Sequence, residues 1–272
     1  NEIDIKEVKN ILIKTKPSSL KSLVINKVKS GKVILNLELY FKDKLNLESF
    51  IAKGEVKNIN ITIDKNLNFK NTNFNFFADA SDILIKNINS EMNGLSFEAG
   101  DMQIKRDKKT TIKSNFLTKI KINKDNISYY SSILKDFKFI NNETSVYANL
   151  NNFLEITFDE TFEITNFIFK NNGEIKQLLF KFNKPFQSNF IDKDISNLYL
   201  KNSSFNTSFG LNMKNKITTN GQYSFNDTDY YKFDIKNSFY SQNLDTNLNF
   251  ELAQKVKVDL INYRKNSSEI AK

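Results

Sequence analysis

Apolar and polar residues alternate with a period of two along most of this chain, which is typical of β-strands that bury one face. The run 33–40 follows this alternation, and Val56, Ile59, Ile61 and Ile63 come next, separated mainly by Asn, Lys and Thr. Shorter pairs of apolar residues around a single intervening residue continue the pattern as far as Leu260. Clusters of Asn, Asp, Lys and Ser separate the runs and suit hairpin turns. With a turn roughly every 8 to 12 residues, the pattern predicts on the order of 20 strands in an all-β antiparallel meander.

One segment near the start breaks the alternation and predicts a helix. The apolar residues between Ser18 and Lys29 recur at the spacing of one helix face, Pro17 precedes them, and Gly31 can end the segment. We therefore expect a short helix over residues 18–29. A second segment, 124–137, is compatible with one or two helical turns.

No linker rich in proline or glycine divides the chain. Its two prolines, Pro17 and Pro185, and its seven glycines are scattered. Because the chain begins at Asn1 rather than at a methionine, we expect it to be a piece of a larger protein. The sequence predicts one continuous, elongated β-sheet segment over residues 1–272, with a candidate boundary at 184–186.

The residue types that are absent exclude most familiar catalytic chemistry. The chain has no Cys and no His, which removes disulfides, thiol nucleophiles, the commonest general base and the commonest transition-metal ligand. Three carboxylate pairs lie in turn-like clusters, which favours turn chemistry over acid–base catalysis or Ca²⁺ binding. They are Asp79 with Asp82, Asp159 with Glu160, and Asp227 with Asp229. We expect no enzyme activity, no metal and no cofactor.

The formal net charge of +9 and the pI near 9.3 admit an anionic partner. Only two of the forty basic residues are arginines, Arg106 and Arg264, which argues against sequence-specific nucleic-acid binding because base recognition favours the guanidinium group. The run KRDKK at 105–109 is either an anion patch or a solvated turn. Lysines on the polar side of the strands either oppose edge-to-edge aggregation or attract anionic lipid headgroups.

The apolar content is low. Only 39% of the residues are hydrophobic and the mean hydropathy is −0.48. No window reaches the roughly 18–20 uninterrupted apolar residues that a membrane helix needs, and the start of the chain has no signal-peptide pattern. We expect any membrane anchor or export signal to lie outside this sequence.

Two arrangements of the strands fit this composition. In a two-sheet sandwich the apolar faces form a dry core, which the 25 phenylalanines would fill. In one long curved sheet, twenty strands at about 4.8 Å each would span on the order of 100 Å, and the apolar face would line a groove wide enough for acyl chains. Such a face would need an apolar ligand or partner, because monomers rarely expose more than a few hundred Å² of apolar surface.

Residues 18–104 resemble a known family. The stretch SSLKSLVINKVKSGKVILNLELYF and the following segments FIAKGEVKNINITI and LNFKNTNFNFFADASDILIKNINSEMNGLSFEAGDMQIK are similar to the central region of AsmA-like proteins, which are related to TamB and to chorein-type bridge lipid-transfer proteins. The shared order is a G-x-V-x-N strand, an alternating strand, a short strand ending in an aromatic residue, and a strand built on I-x-I-x-N. The corresponding residues are Gly54, Val56, Asn58, Ile83, Ile85, Asn87, Gly94 and Gly100.

The resemblance implies a function. AsmA-like proteins are anchored in the inner membrane of Gram-negative bacteria and extend into the periplasm as a hydrophobic β-groove that conducts phospholipid toward the outer membrane. We therefore expect residues 1–272 to form a single periplasmic groove segment, anchored by a segment outside this sequence, with phospholipid or another acyl lipid as partner and no nucleic acid. The groove candidates are Val33, Leu35, Leu37, Val56, Ile59, Ile61, Ile63, Phe74, Phe76, Ile83, Ile85, Leu95, Phe97 and Ile104.

Two other classes stay open. In a structural or adhesive cell-surface β-sandwich or β-solenoid, the same residues would form a dry core without ligand. An outer-membrane barrel would show about 10 residues per strand with apolar outward faces, which the short runs, the absence of Trp and the abundant Lys oppose. Changing groove residues to Asp separates a dry core, which would unfold, from a groove, which would stay folded and lose lipid.

Overall fold

The computed structural model describes residues 2–14, 19–43, 46–62, 68–130, 143–161, 163–188, 191–240, 243–252, 255–258, 262–266 and 269. Within these ranges the chain forms fifteen strands, two α-helices and one short 3-10 helix, Ile127–Tyr130. The helices are α1 (Ile5–Ile13) and α2 (Ser19–Lys27). The strands are β1 (Glu2–Asp4), β2 (Val28–Phe41), β3 (Leu47–Thr62), β4 (Asn68–Ala78), β5 (Asp82–Met92), β6 (Leu95–Arg106), β7 (Thr110–Ile122), β8 (Ser145–Phe158), β9 (Ile164–Ser188), β10 (Ile191–Gly210), β11 (Asn215–Phe225), β12 (Tyr231–Tyr240), β13 (Asn243–Phe250), β14 (Val256–Val258) and β15 (Tyr263–Lys265).

The predicted all-β antiparallel meander is confirmed. Strands β1 to β13 follow one another in a single open sheet in the order of the sequence, and β14 joins β10 to β15 beside this path. Within the described residues the strands are fewer than the expected 20, in part because β6 contains the predicted runs at 95–97 and 102–104, and β9, with 25 residues, contains those at 167–169 and 178–182. The β5–β6 hairpin turns through Asn93 and Gly94, both at positive φ, as the turn composition predicts.

Chain contacts divide the molecule into two compact units. The first contains Asn1–Lys119 and Asn151–Phe169, and the second contains Ile120–Leu150 and Lys170–Lys272. The candidate boundary at 184–186 lies inside β9.

The helix predicted over 18–29 is present as α2, which ends at Lys27 where β2 takes over. Helix α1 was not expected, because charged residues interrupt its apolar residues in sequence. Asp4 caps it by accepting a hydrogen bond from the Lys6 amide (2.8 Å), and Ile5 is buried on its inner side. Of the second helical candidate, only the 3-10 helix Ile127–Tyr130 is observed, and residues 131–137 lie outside the described residues.

Four single-residue bulges interrupt the regular pairing of β3 to β6. At each bulge two residues face one residue of a neighbouring strand. The second of the two has a left-handed backbone: Asn58 (φ 50°), Asn71 (φ 53°), Asn87 (φ 57°) and Ala99 (φ 49°). Asn tolerates this conformation better than other side chains. We call these four the bulge residues.

Each bulge residue has its amide capped by the single residue that faces it. The acceptor is always a side-chain oxygen, so the amide displaced from the strand ladder keeps a partner. The pairs are Asn58 N with Asn73 Oδ1 (2.9 Å), Asn71 N with Asn60 Oδ1 (3.3 Å), Asn87 N with Asp101 Oδ1 (3.3 Å), and Ala99 N with Asn89 Oδ1 (3.2 Å). This arrangement accounts for several of the asparagines in the Asn-rich strands.

The buried core of the first unit lies beneath the two helices. Ile5 packs with Val28, Val56 and Ile59, and partly buried residues of α1, α2 and β2 to β4 surround this cluster. Gly31 lies so close to Ile59 that a Cβ added at Gly31 would be 2.8 Å from the Cα of Ile59. The helices therefore cover one part of the sheet face that carries these apolar residues.

Candidate apolar binding surface

Cross-strand register places the apolar residues of the first unit on one side of the sheet. Residues directly opposite each other on paired strands share a face. One row runs through Leu35, Gly54, Phe76, Ile85 and Met102, and a second runs through Leu37, Ala52, Ala78, Ile83 and Ile104. We call this side of the first unit the apolar face and the other side the polar face.

The apolar face carries thirteen of the fourteen groove candidates, and the fourteenth, Ile63, lies outside the described residues. The bulges explain why one face holds them all. Val56 and Ile59 are three residues apart, so strict alternation would put them on opposite faces of the sheet. The extra residue at the Asn58 bulge brings Ile59 back to the same face as Val56. Val56 and Ile59 are buried beneath α1, whereas Leu35 and Leu37 are 45% and 49% exposed.

A concave pocket of about 380 Å³ lies on the apolar face. It includes two of the fourteen candidates, Ile61 and Phe97, and two further residues of the alternating apolar pattern, Phe69 and Met102. Ile88, Phe116 and Leu154, which also line it, were not selected from the sequence. The three phenylalanines form a ladder across the strands, with ring centroids 5.5 Å apart for Phe69 and Phe97 and 6.0 Å apart for Phe97 and Phe116. We call this site the apolar pocket.

The hydroxyl groups in the apolar pocket are already hydrogen-bonded within the protein. Thr72 Oγ1 and Ser90 Oγ lie 2.7 Å apart, and Ser114 Oγ donates to the Asp101 carbonyl at 3.0 Å. No charged side chain is among the pocket's lining residues in the described part of the chain. The pocket therefore offers apolar contact with few free polar groups, which suits an alkyl chain.

The polar face of the first unit carries a series of ion pairs, most of them between different strands. They join Lys53 with Glu38 (3.3 Å), Lys86 with Asp101 (2.7 Å), Lys113 with Glu155 (3.1 Å), Lys119 with Glu98 (2.6 Å), and Lys57 with Glu2 (3.2 Å) and Glu55 (3.3 Å). The hydrogen bond from Lys86 holds the pKa of Asp101 below its ordinary value. Exposed pairs of this kind contribute little stability, but they keep this face solvated, so the sheet is amphipathic.

The second unit has an aromatic cluster centred on Tyr223. Its ring lies 5.1 Å from Phe225, 6.3 Å from Phe233 and 6.4 Å from Phe250, measured between centroids. Its hydroxyl donates to the Glu251 carbonyl at 2.5 Å, and burial raises the pKa of Tyr223 to about 12. On the last strand of the sheet path, β13, Leu244 and Leu248 are 60% and 54% exposed.

Other kinds of site are absent from the part of the chain that the structure describes. No group of three or more His, Cys, Asp or Glu side chains there could hold a metal ion. None of the helices in the described ranges has the length and apolar character to span a membrane. Comparisons with protein-family models, with curated proteins and with solved structures found no match to this chain.

Proposed function

We propose that the apolar face binds the acyl chains of phospholipid, and that the chain conducts lipid between the inner and outer membranes as a periplasmic segment of a larger, membrane-anchored protein. The observation that carries the binding proposal is the apolar pocket, whose hydroxyl groups are satisfied internally. The transport route, the periplasmic location and the anchor rest on the resemblance of residues 18–104 to AsmA-like proteins.

The energetics of an acyl chain suit this surface. Each buried methylene contributes about 0.8 kcal/mol, so five or six methylenes in the apolar pocket would contribute about 4–5 kcal/mol. The volume of about 380 Å³ falls within the range of small-molecule sites. Because apolar contact is not directional, a lipid could move along the face without breaking specific hydrogen bonds, and transfer would need no chemical step.

The exposure of the apolar face supports a ligand more than a dry core. Leu35, Leu37 and Leu39 follow one another along the same side of β2 and are each 45–49% exposed. All strands in the described ranges belong to one sheet, so a second sheet that would bury these side chains is not among the described elements. An apolar row of this kind is typical of a ligand or partner surface.

The test compares two phenylalanines on opposite faces of the same sheet. Phe97 belongs to the apolar pocket, whereas Phe77 is 41% exposed on the polar face, opposite Lys53 and Leu84. Phe97→Asp places a charge in the pocket, and Phe77→Asp is the matched control. We expect native mass spectrometry and organic extraction to find co-purifying phospholipid with the wild-type chain and Phe77→Asp, and little with Phe97→Asp.

Circular dichroism of both variants shows whether the sheet persists. The proposal would be contradicted if the wild-type chain carried no lipid and Phe97→Asp unfolded it, because that result favours a dry core. Equal loss of lipid in both variants would also contradict it, because the effect would not depend on the apolar face. Transfer itself is measured between donor and acceptor vesicles with a phospholipid that carries a fluorescent acyl chain, where Phe97→Asp should slow the exchange.

A further inference from the structure

A second pocket lies on the polar face, around the turn that joins β6 to β7. Its volume is about 580 Å³, and its charged lining consists of Lys105, Lys108, Lys109 and Lys113 with Asp107 and Glu155. Met102 faces the apolar pocket while the following residue, Gln103, lines this one. The two pockets therefore lie on opposite faces of the sheet. We call the second the basic pocket.

The charges of the basic pocket do not cancel. Glu155 pairs with Lys113 at 3.1 Å, and its side chain is only 19% exposed. Within the described residues, no ion pair engages Lys105, Lys108 or Lys109, unlike Lys53, Lys86 and Lys119 elsewhere on the same face. Four lysines against two carboxylates leave a net charge of +2.

Asp159 adds one carboxylate near Lys109 but forms no ion pair with it within the described residues. The Asp159 carboxylate has its pKa held below the ordinary value by hydrogen bonds from Thr161 and Glu163 and, to a smaller extent, by Lys109. It accepts hydrogen bonds from the amide of Thr161 (2.9 Å), from the hydroxyl of Thr161 (2.7 Å) and from the amide of Glu163 (3.0 Å). Even with Asp159 counted, the four lysines of the basic pocket outnumber the three carboxylates around them, so the pocket keeps an excess of positive charge that can attract an external anion.

We propose that the basic pocket binds a phosphate group. A phosphate monoester carries a charge of about −1.5 to −2 and the phosphodiester of a lipid headgroup carries a single negative charge, so the positive excess of the pocket can balance either group. Lysine binds phosphate as a mobile point charge, and Thr111 and Gln103 supply neutral polar groups beside the lysines. The volume of the pocket is within the range of small-molecule sites. The phosphate comes either from an anionic lipid headgroup at a membrane surface or from a soluble phosphorylated compound.

The experiment removes two of the lysines that have no ion pair. In the double variant Lys105→Gln with Lys109→Gln the pocket loses its excess charge. The control, Lys176→Gln with Lys216→Gln, makes the same change in net charge at two exposed lysines of the second unit. Two probes are titrated: inorganic pyrophosphate by calorimetry, and vesicles of equal parts phosphatidylglycerol and phosphatidylcholine by co-sedimentation, with pure phosphatidylcholine vesicles as reference.

We expect the wild-type chain to bind at least one probe, and binding to weaken as ionic strength rises from about 0.1 M to about 1 M, because the Debye length shortens from about 10 Å to about 3 Å. Each lysine near an anionic surface is worth about a factor of five. The Lys105/Lys109 variant should therefore bind about 25-fold more weakly, and the control should bind nearly as well as the wild type.

The two probes identify the source of the phosphate. Binding to the anionic vesicles alone assigns the site to a lipid headgroup, and binding to pyrophosphate in free solution assigns it to a soluble compound. Binding to neither probe overturns the proposal, as does equal weakening in the two double variants. Because Phe97 lies on the other face, Phe97→Asp should leave pyrophosphate binding unchanged, so failure at one pocket does not imply failure at the other.

Discussion

Replacing Ala99 by glycine should stabilise the protein. Ala99 is an exposed bulge residue at φ 49°, and the other three bulge residues are asparagines. A left-handed backbone costs an ordinary L-residue about 1–2 kcal/mol, whereas glycine avoids this cost and loses about 0.5–1 kcal/mol more conformational entropy on folding. Since the Ala99 methyl group is exposed, little packing is lost. We expect Ala99→Gly to raise the free energy of unfolding by about 0.5–1 kcal/mol.

The matched control is the same substitution in a regular strand. Ala52 lies in β3, paired with Leu37 and Ala78, and its φ is not positive. Ala52→Gly should lower the free energy of unfolding by about 0.5–1 kcal/mol, since glycine gains nothing there and orders more chain. The two substitutions are chemically identical and should have opposite signs.

Urea denaturation followed by far-ultraviolet circular dichroism measures both changes from the shift of the midpoint at constant slope. If Ala99→Gly lowered the free energy of unfolding by as much as Ala52→Gly does, the assignment of a left-handed bulge at residue 99 would be refuted. Ala99→Asn gives a second reading, because it makes the fourth bulge like the other three. Ala99→Asn should also raise the free energy of unfolding. If neither substitution raised it, the left-handed backbone at residue 99 would be contradicted.

Three further predictions concern single side chains. Gly54→Ala should prevent folding or cost several kcal/mol, because the new Cβ would collide with the Ile34 carbonyl oxygen; thermal unfolding checks it. Tyr223→Phe should cost about 1 kcal/mol at neutral pH by removing the donor to Glu251. In the wild-type chain, the stability that Tyr223 contributes should fall as pH rises from 10 toward 12, because the folded-state pKa of Tyr223 is raised to about 12. Tyr223→Phe should lack this fall. Amides and a hydroxyl of its own turn hold the pKa of Asp79 below 3.8. The stability that Asp79 contributes is therefore present at neutral pH and is lost as pH falls through the lowered pKa. Asp79→Ala should flatten the acid limb of a curve of unfolding free energy against pH.

The sequence predicted the amphipathic sheet well because burial of one face imposes a period of two on the strands. It did not predict the makeup of the apolar pocket. Ile88 reaches the pocket because of the bulge at Asn87, and Phe116 and Leu154 come from β7 and β8, the next strands along the sheet. A short window of sequence shows neither the bulge nor which neighbouring strands share a pocket. A three-residue spacing around a Lys-Asn pair, as between Val56 and Ile59 or between Ile85 and Ile88, is the local signal that could have indicated the bulges.

Two further misses have physical causes. Helix α1 is nine residues long, too short to be stable alone, and its formation depends on the burial of Ile5 against the sheet. The expected strand count was too high because turn-forming residues were read as turns. Asn172 and Gly173 lie inside β9, where Gly173 is required because a Cβ would collide with the Asn149 carbonyl. Glycine in a strand can mark close backbone approach as well as a turn.

The bulges also have an evolutionary consequence. Losing one residue from a regular strand exchanges its two faces and exposes the apolar side chains beyond that point. At Asn58, the residue is already surplus to the alternation, so a deletion would join Val56 and Ile59 at the ordinary spacing and keep both on the same side. The same holds at Asn71, Asn87 and Ala99. Relatives of this chain can therefore differ in strand length by single residues at these four positions while the apolar face stays continuous.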